Sequence, residues 1–198
     1  MMNKPNLLFP TPVWTSQIDD YKKLNDSMYT YIKEAQTKDQ KGINKSNIKG
    51  WHSKDFDLKD KEPKNFINCI SPSIKKVMID MNWENERQTI KISNMWAIIN
   101  IGGSTNTRHQ HGNSTISGAY YVKAPKNCGD IIFYDPRPAP VFYYPTATSS
   151  NFLNAQVNGI TPKEGALILF PSYVDHSVNE NLSNNERIVI SFNITVQV

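Results

Sequence analysis

The feature that most constrains this chain is a change of character after Trp83. Before it, apolar residues recur at helical spacing; after it, short β-rich runs are separated by Gly, Pro and Asn. Leu24, Met28, Tyr31, Ile32 and Ala35 form one stripe, and Asp19 and Asp20 suit the positive end of a helix there. Phe66, Ile67, Ile70, Ile74, Val77, Met78 and Met81 form a second. Pro72 interrupts it, either as a kink or in the first turn of a fresh helix capped by Ser71. The β-rich runs fall at 88–101, 114–123, 129–135, 140–144, 155–160, 165–170 and 187–197. Two helices followed by such a series predict a mainly β fold, a sandwich or barrel with the helices laid against one sheet. Prolines in residues 7–14 predict an extended edge strand. The polar stretch Thr37–Lys49 carries too little apolar surface to pack and reads as a mobile loop.

A length of 198 residues suits one domain and is short for two. Residues 1–87 would be helical support and 88–198 the β core. The net charge of +4 is spread among acids, so nucleic acid is not the default partner. Cys69 and Cys128 form no CxxC pair and no disulfide framework, which fits a reducing cytoplasm. Met1 to Trp14 is broken by Pro5, Pro10 and Pro12 and lacks the continuous apolar run of a signal peptide. No stretch approaches membrane-spanning length.

Chemistry gathers in the β half. His109 and His111, at i and i+2, point the same way if the backbone is extended, and could share one ion. Two loop histidines bonded to backbone are the bland alternative. His176 follows the apolar run Ala166 to Phe170 and a turn at Pro171-Ser172. In the last run, Arg187, Val189, Ser191 and Asn193 fall on one face, and Ile188, Ile190, Phe192, Ile194 and Val196 on the other. If the apolar face packs on the helices, Arg187 and Ser191 project inward, where a buried guanidinium requires an anion. A carboxylate within the protein could be that anion.

In this order the residues resemble the 2-oxoglutarate and Fe(II)-dependent oxygenases, whose double-stranded β-helix carries a His-x-Asp/Glu pair, a distal His and an Arg-x-Ser after it. More narrowly, the chain is similar to a group of such oxygenases from phages and bacteria, related to prolyl hydroxylases. The marks are Leu8-Phe9-Pro10-Thr11-Pro12-Val13-Trp14, His109-Gln110-His111 leading to Ser117-Gly118-Ala119-Tyr120-Tyr121-Val122, Leu169-Phe170-Pro171-Ser172 ahead of His176, and Arg187 to Asn193. The resemblance implies a jelly-roll, cupin-like barrel. His109, His111 and His176 would hold Fe(II), and Arg187 with Ser191 would hold the distal carboxylate of 2-oxoglutarate. Asn100 and Tyr121 would contact the co-substrate or the substrate. O2 is the second co-substrate, and the products are succinate, CO2 and a hydroxylated small molecule or peptide. A homodimer is left open as a partner.

His111 stands where the wider superfamily has a carboxylate. With a bound dianion, three neutral imidazoles leave the site near zero charge, where a carboxylate would take it to about minus one. Asp130, Asp135 or Asp175 could instead supply the carboxylate, although Asp175 adjoins His176 and would point the opposite way on an extended chain. Two other readings stand beside the oxygenase. One is a cupin-like barrel that binds a metal or small ligand without redox turnover; the other is a catalytically silent barrel in a virion or assembly.

Overall fold

The computed structural model describes residues 4–83 and 88–197. Two long helices, α1 (Tyr21–Lys38) and α2 (Lys61–Asp80), lie in the first half of the chain. The strands form two antiparallel sheets. The six-stranded sheet has the order β1 (Trp14–Gln17), β9 (Ala166–Pro171), β6 (Ile116–Lys123), β11 (Arg187–Gln197), β4 (Thr89–Asn100), β3 (Trp51–His52). The five-stranded sheet has the order β2 (Asn47–Ile48), β5 (Thr105–His109), β10 (His176–Val178), β7 (Ile131–Tyr134), β8 (Val157–Ile160). Among the described residues no strand pairing joins one sheet to the other, so the fold is two sheets and not a closed barrel.

Alternation along β11 divides the core. Ile188, Ile190, Phe192 and Ile194 point to the helices and share one apolar cluster with Met28 and Ile32 of α1 and Phe66 and Ile70 of α2. The Phe66 ring meets Tyr120 and Phe192 edge-on, with centroids 5.1 Å and 6.0 Å apart, a geometry aromatic quadrupoles favour. Gly118 pairs with Phe192 across the sheet, and a Cβ there would come within 2.2 Å of the phenyl ring. Asn25 fastens α1 to β6, donating to the Val122 carbonyl (2.9 Å) and accepting from the Tyr120 hydroxyl (2.6 Å). The opposite face, through Val189, Ala119, Tyr121, Ile168 and Phe170, meets Ile131 and Phe133 of the five-stranded sheet in a second cluster. The space between the sheets is where the inward polar side chains must find partners.

Several local expectations differ from the structure. The edge strand is β1, starting at Trp14 and pairing with β9, and residues 7–13 are outside it because Pro10 and Pro12 cannot donate to a ladder. α2 runs unbroken through Pro72. That proline is exposed, so the carbonyl it leaves unpaired faces water. The aromatic run expected as a strand at 140–144 lies instead largely in a short helix, α3 (Pro138–Tyr143), with Pro138 in its first turn, where a missing N–H costs nothing. Thr37–Lys49, read as a loop, holds the end of α1 and all of β2. Its polar side chains satisfy backbone: Asn47 accepts from Lys45 N (2.9 Å) and donates to Gly50 O (2.7 Å). Among the described residues no helix is long and apolar enough to cross a membrane.

Candidate active site

The inward face of the six-stranded sheet forms one wall of a cavity of about 700 Å³. Three cross-strand rows make up that face: His52, Ile98, Val189, Tyr121; then Trp96, Ser191, Ala119; then Asn94, Asn193, Ser117, of which Asn193 and Ser117 lie outside the cavity lining. β5 and β10 of the other sheet face this wall. Exposed Lys45, Lys54 and Gln110 mark its open side, and buried Tyr121 and Arg187 its inner end.

His109 and His176 are direct cross-strand partners on β5 and β10, with ring centroids 4.3 Å apart. His111 follows just beyond β5, where its backbone N–H donates to Ser172 O (3.0 Å), and its ring lies 5.2 Å from His109 and 5.0 Å from His176. One ligand atom from each ring falls within 4.8 Å of the others, so the three could hold a single metal ion. Each Nδ1 faces an oxygen. His109 bonds Thr107 O (2.7 Å), His176 bonds Val174 O (3.0 Å), and His111 bonds Asn193 Oδ1 (2.7 Å). The carbonyl oxygens can only accept, so Nδ1 carries the proton and the Nε2 lone pair is left for a ligand. Asn193 is held in turn by the Ser117 hydroxyl (2.8 Å) and by its own bond to Asn94 Oδ1 (3.0 Å).

Burial keeps these rings neutral, as metal binding requires. It pushes His111 down to about 4 and His176 down to about 3, helped in both by neighbouring His109, and it lowers His109 as well. An unfolded chain takes up these protons near the ordinary histidine value of about 6.5, whereas the folded chain refuses them. The metal-free protein should therefore hold full stability above that value and lose it as pH falls toward 4. Thermal melts at pH 7 and pH 5 are expected to show the lower Tm at pH 5. An equal Tm would mean the rings are not held neutral by burial.

Arg187 is 1% exposed and opens β11 at the inner end of the cavity. Its Nη1 donates to the carbonyls of Cys128 (2.6 Å) and Gly129 (3.2 Å), with Asn179 O at 3.4 Å, while Nε is buried without a partner. Among the described residues no carboxylate pairs with it, although burial, its largest influence, lowers its proton affinity. Three carbonyl dipoles orient the guanidinium but do not neutralise it. Ser191 and Tyr121 line the same space, and burial raises the Tyr121 hydroxyl.

The remaining expected residues are placed elsewhere. Asn100 is fully buried but does not line the cavity; it donates to Asn106 Oδ1 (2.9 Å), and Asn106 reaches the wall. Asp175 turns outward, as alternation from His176 requires, and pairs with Arg108 at 2.6 Å. Asp135 is bound by Arg137. Neither they nor Asp130 joins the three-histidine group. Sequence reading missed His52, Trp96 and Asn193. Asn193 was visible as the next inward residue after Ser191 on β11, and Trp96 as an inward aromatic on β4 once that strand's phase was known.

A family model described as "Putative 2OG-Fe(II) oxygenase" matches residues 94–193, half of the chain. The chain belongs to this family of oxygenases. Its cofactors are accordingly Fe(II) and 2-oxoglutarate, and the three neutral imidazoles suit such an ion. No curated protein matches in sequence. Among solved structures, the oxygenase is similar to a Pseudomonas putida prolyl-4-hydroxylase (TM-score 0.63, 11% identity, 92% of each chain covered). It is similar to a Trichoplax adhaerens prolyl hydroxylase in complex with a hypoxia-inducible-factor peptide (0.64, 12%, covering 92% of this chain and 83% of that one). A third neighbour is HygX from Streptomyces hygroscopicus with nickel and 2-oxoglutarate bound (0.63, 8%, covering 93% and 83%). At such identities the likeness carries the fold alone, which agrees with the two-sheet architecture.

Proposed function

We propose that this oxygenase hydroxylates a small-molecule or peptidyl substrate, with His109, His111 and His176 as the Fe(II) ligands and Arg187 as the anchor for 2-oxoglutarate. The observation that carries this reading is the Arg187 guanidinium, which no carboxylate among the described residues neutralises and whose Nε has no partner, buried at the inner end of the cavity that also holds three metal-ready imidazoles. A cupin-like binding module would account for the histidines but leave that charge unexplained. The two sheets correspond to the halves of a double-stranded β-helix, and the whole chain is one domain.

Bound Fe(II) supplies dioxygen activation coupled to oxidative decarboxylation of 2-oxoglutarate, giving succinate and CO2 with hydroxylation of the substrate. The chain's own residues do the rest. Arg187 offers charge-assisted hydrogen bonds to the distal carboxylate, and Ser191 and Tyr121 add hydroxyl donors beside it. Val189, Ala119 and Phe170 line the space apolarly and exclude water. Thr107, Val174 and Asn193 hold the three rings in the tautomer that presents Nε2. Three neutral ligands leave the ion's charge to be balanced by the co-substrate, so the site selects a dianion.

The test is a 2-oxoglutarate titration of the Fe(II)-loaded protein under argon, followed by succinate analysis after admitting air. Metal-dependent binding and succinate release are expected; binding without succinate would leave a ligand-binding module. Asn193 gives a sharper check on His111. Asn193→Ala combined with Ser117→Ala removes both oxygens within reach of Nδ1, Asn193 Oδ1 at 2.7 Å and Ser117 Oγ at 2.9 Å, without touching the ion, and outer-shell losses of this kind weaken metal affinity by about 10- to 100-fold. Chelator competition measures it, and unchanged affinity would remove His111 from the ligand set.

A further inference from the structure

The fourth histidine has no part in the chemistry above, yet it lies on the same cavity. His52 is 7% exposed and pairs with Ile98 across β3 and β4, so its ring shares the inward face with Trp96 and Ile98. The imidazole stacks on the Trp96 indole, with centroids 5.7 Å apart and planes 6° from parallel, which fixes its plane. Its Nδ1 lies 2.7 Å from Ser53 O, and since a carbonyl only accepts, Nδ1 is the protonated nitrogen. The lone pair is then on Nε2, which has no hydrogen-bond partner among the described residues and is not one of the atoms sealed from solvent. The residue is buried but this one acceptor opens on the cavity, where a donor on a bound molecule can reach it. His52 also stands outside the three rings that converge on one point, so a metal is not that group.

We infer that His52, held by Trp96, is a substrate-specificity residue that accepts a hydrogen bond from an N–H or O–H carried on an apolar ring. Trp96, Ile98 and Ile43 supply an apolar side to the cavity that His52 lines, against which a ring can pack, while Lys45 and Asp55, whose charges act on the His52 imidazole, supply a polar side. The inference rests on the oxygenase reading of the cavity, because it assigns the substrate side of that site.

Indole and 1-methylindole present the same apolar body with and without the donor. Each is titrated into the protein loaded with Zn(II) and 2-oxoglutarate, and again into the unloaded protein, following backbone amide resonances. Indole is expected to bind about five-fold more tightly, the effect of one neutral hydrogen bond. That preference should vanish in His52→Phe, which keeps a ring on Trp96, and survive in His52→Gln, which keeps an acceptor. Equal affinities in the wild type, no binding of either probe, or a preference that survives in His52→Phe would overturn the subsite. Should His52→Phe fail to fold, the wild-type ratio and His52→Gln still decide. A separate 2-oxoglutarate titration keeps the two readings apart. Loss of 2-oxoglutarate binding in the wild type would sink the co-substrate assignment of Arg187, whereas the indole ratio in unloaded protein reports on His52 alone.

Discussion

Replacing His176 with alanine is expected to strip the protein of stoichiometric metal and abolish succinate formation. The ring is 5% exposed and makes the closest ring approach within the triad, to His109. Removing it leaves two imidazoles, one on a strand end and one beyond it, too few to compete with water for a divalent ion. The loss should exceed that of Asn193→Ala combined with Ser117→Ala, since a ligand disappears instead of its support. Elemental analysis and succinate release measure the two effects. His176 lies against Phe170 and Phe133, so the variant's fold should be verified by its near-ultraviolet circular dichroism. Retained metal in a folded variant would show that the ion lies elsewhere.

The second large effect is expected at Arg187. Lysine keeps the positive charge but loses the planar fork, and with it bonds that charge-assisted pairs make worth about 1.5–3 kcal/mol. Arg187→Lys should raise the KM for 2-oxoglutarate by about 10- to 100-fold while metal content is unchanged. Three carbonyls hold Nη1, so part of any change comes from lost orientation. Succinate, a dicarboxylate lacking the keto group, still needs Arg187 and should weaken in parallel with 2-oxoglutarate, which separates the Arg187 contact from chelation of the metal. Unchanged co-substrate kinetics would remove Arg187 from the site.

Most of this site was legible because strand alternation is a simple rule. Arg187 and Ser191 are inward because Ile188, Ile190 and Phe192 have the helices to cover them, and Asp175 is outward because His176 is inward. The family resemblance supplied the roles; the alternation supplied the direction. Short elements were not legible. β2 and β3 are two residues each, and only their pairing with β5 and β4 makes them strands. His52 was overlooked for that reason: no periodicity exists over two residues, and the neighbouring sequence is polar. The aromatic pair Trp51-His52, with Trp51 turned to the helices and His52 to the cavity, was the one available signal. Asn100 is the cross-strand partner of Arg187, but it does not line the cavity: its Nδ2 goes to Asn106 and its Oδ1 is buried without a partner among the described residues.

The most direct test of the whole account is a crystal structure of the protein grown without oxygen in the presence of Fe(II) and 2-oxoglutarate. One ion bonded to the Nε2 atoms of His109, His111 and His176, with a carboxylate against the Arg187 guanidinium, is the expected result. An ion bound through Asp130, Asp135 or Asp175, or a co-substrate that leaves Arg187 untouched, would contradict it.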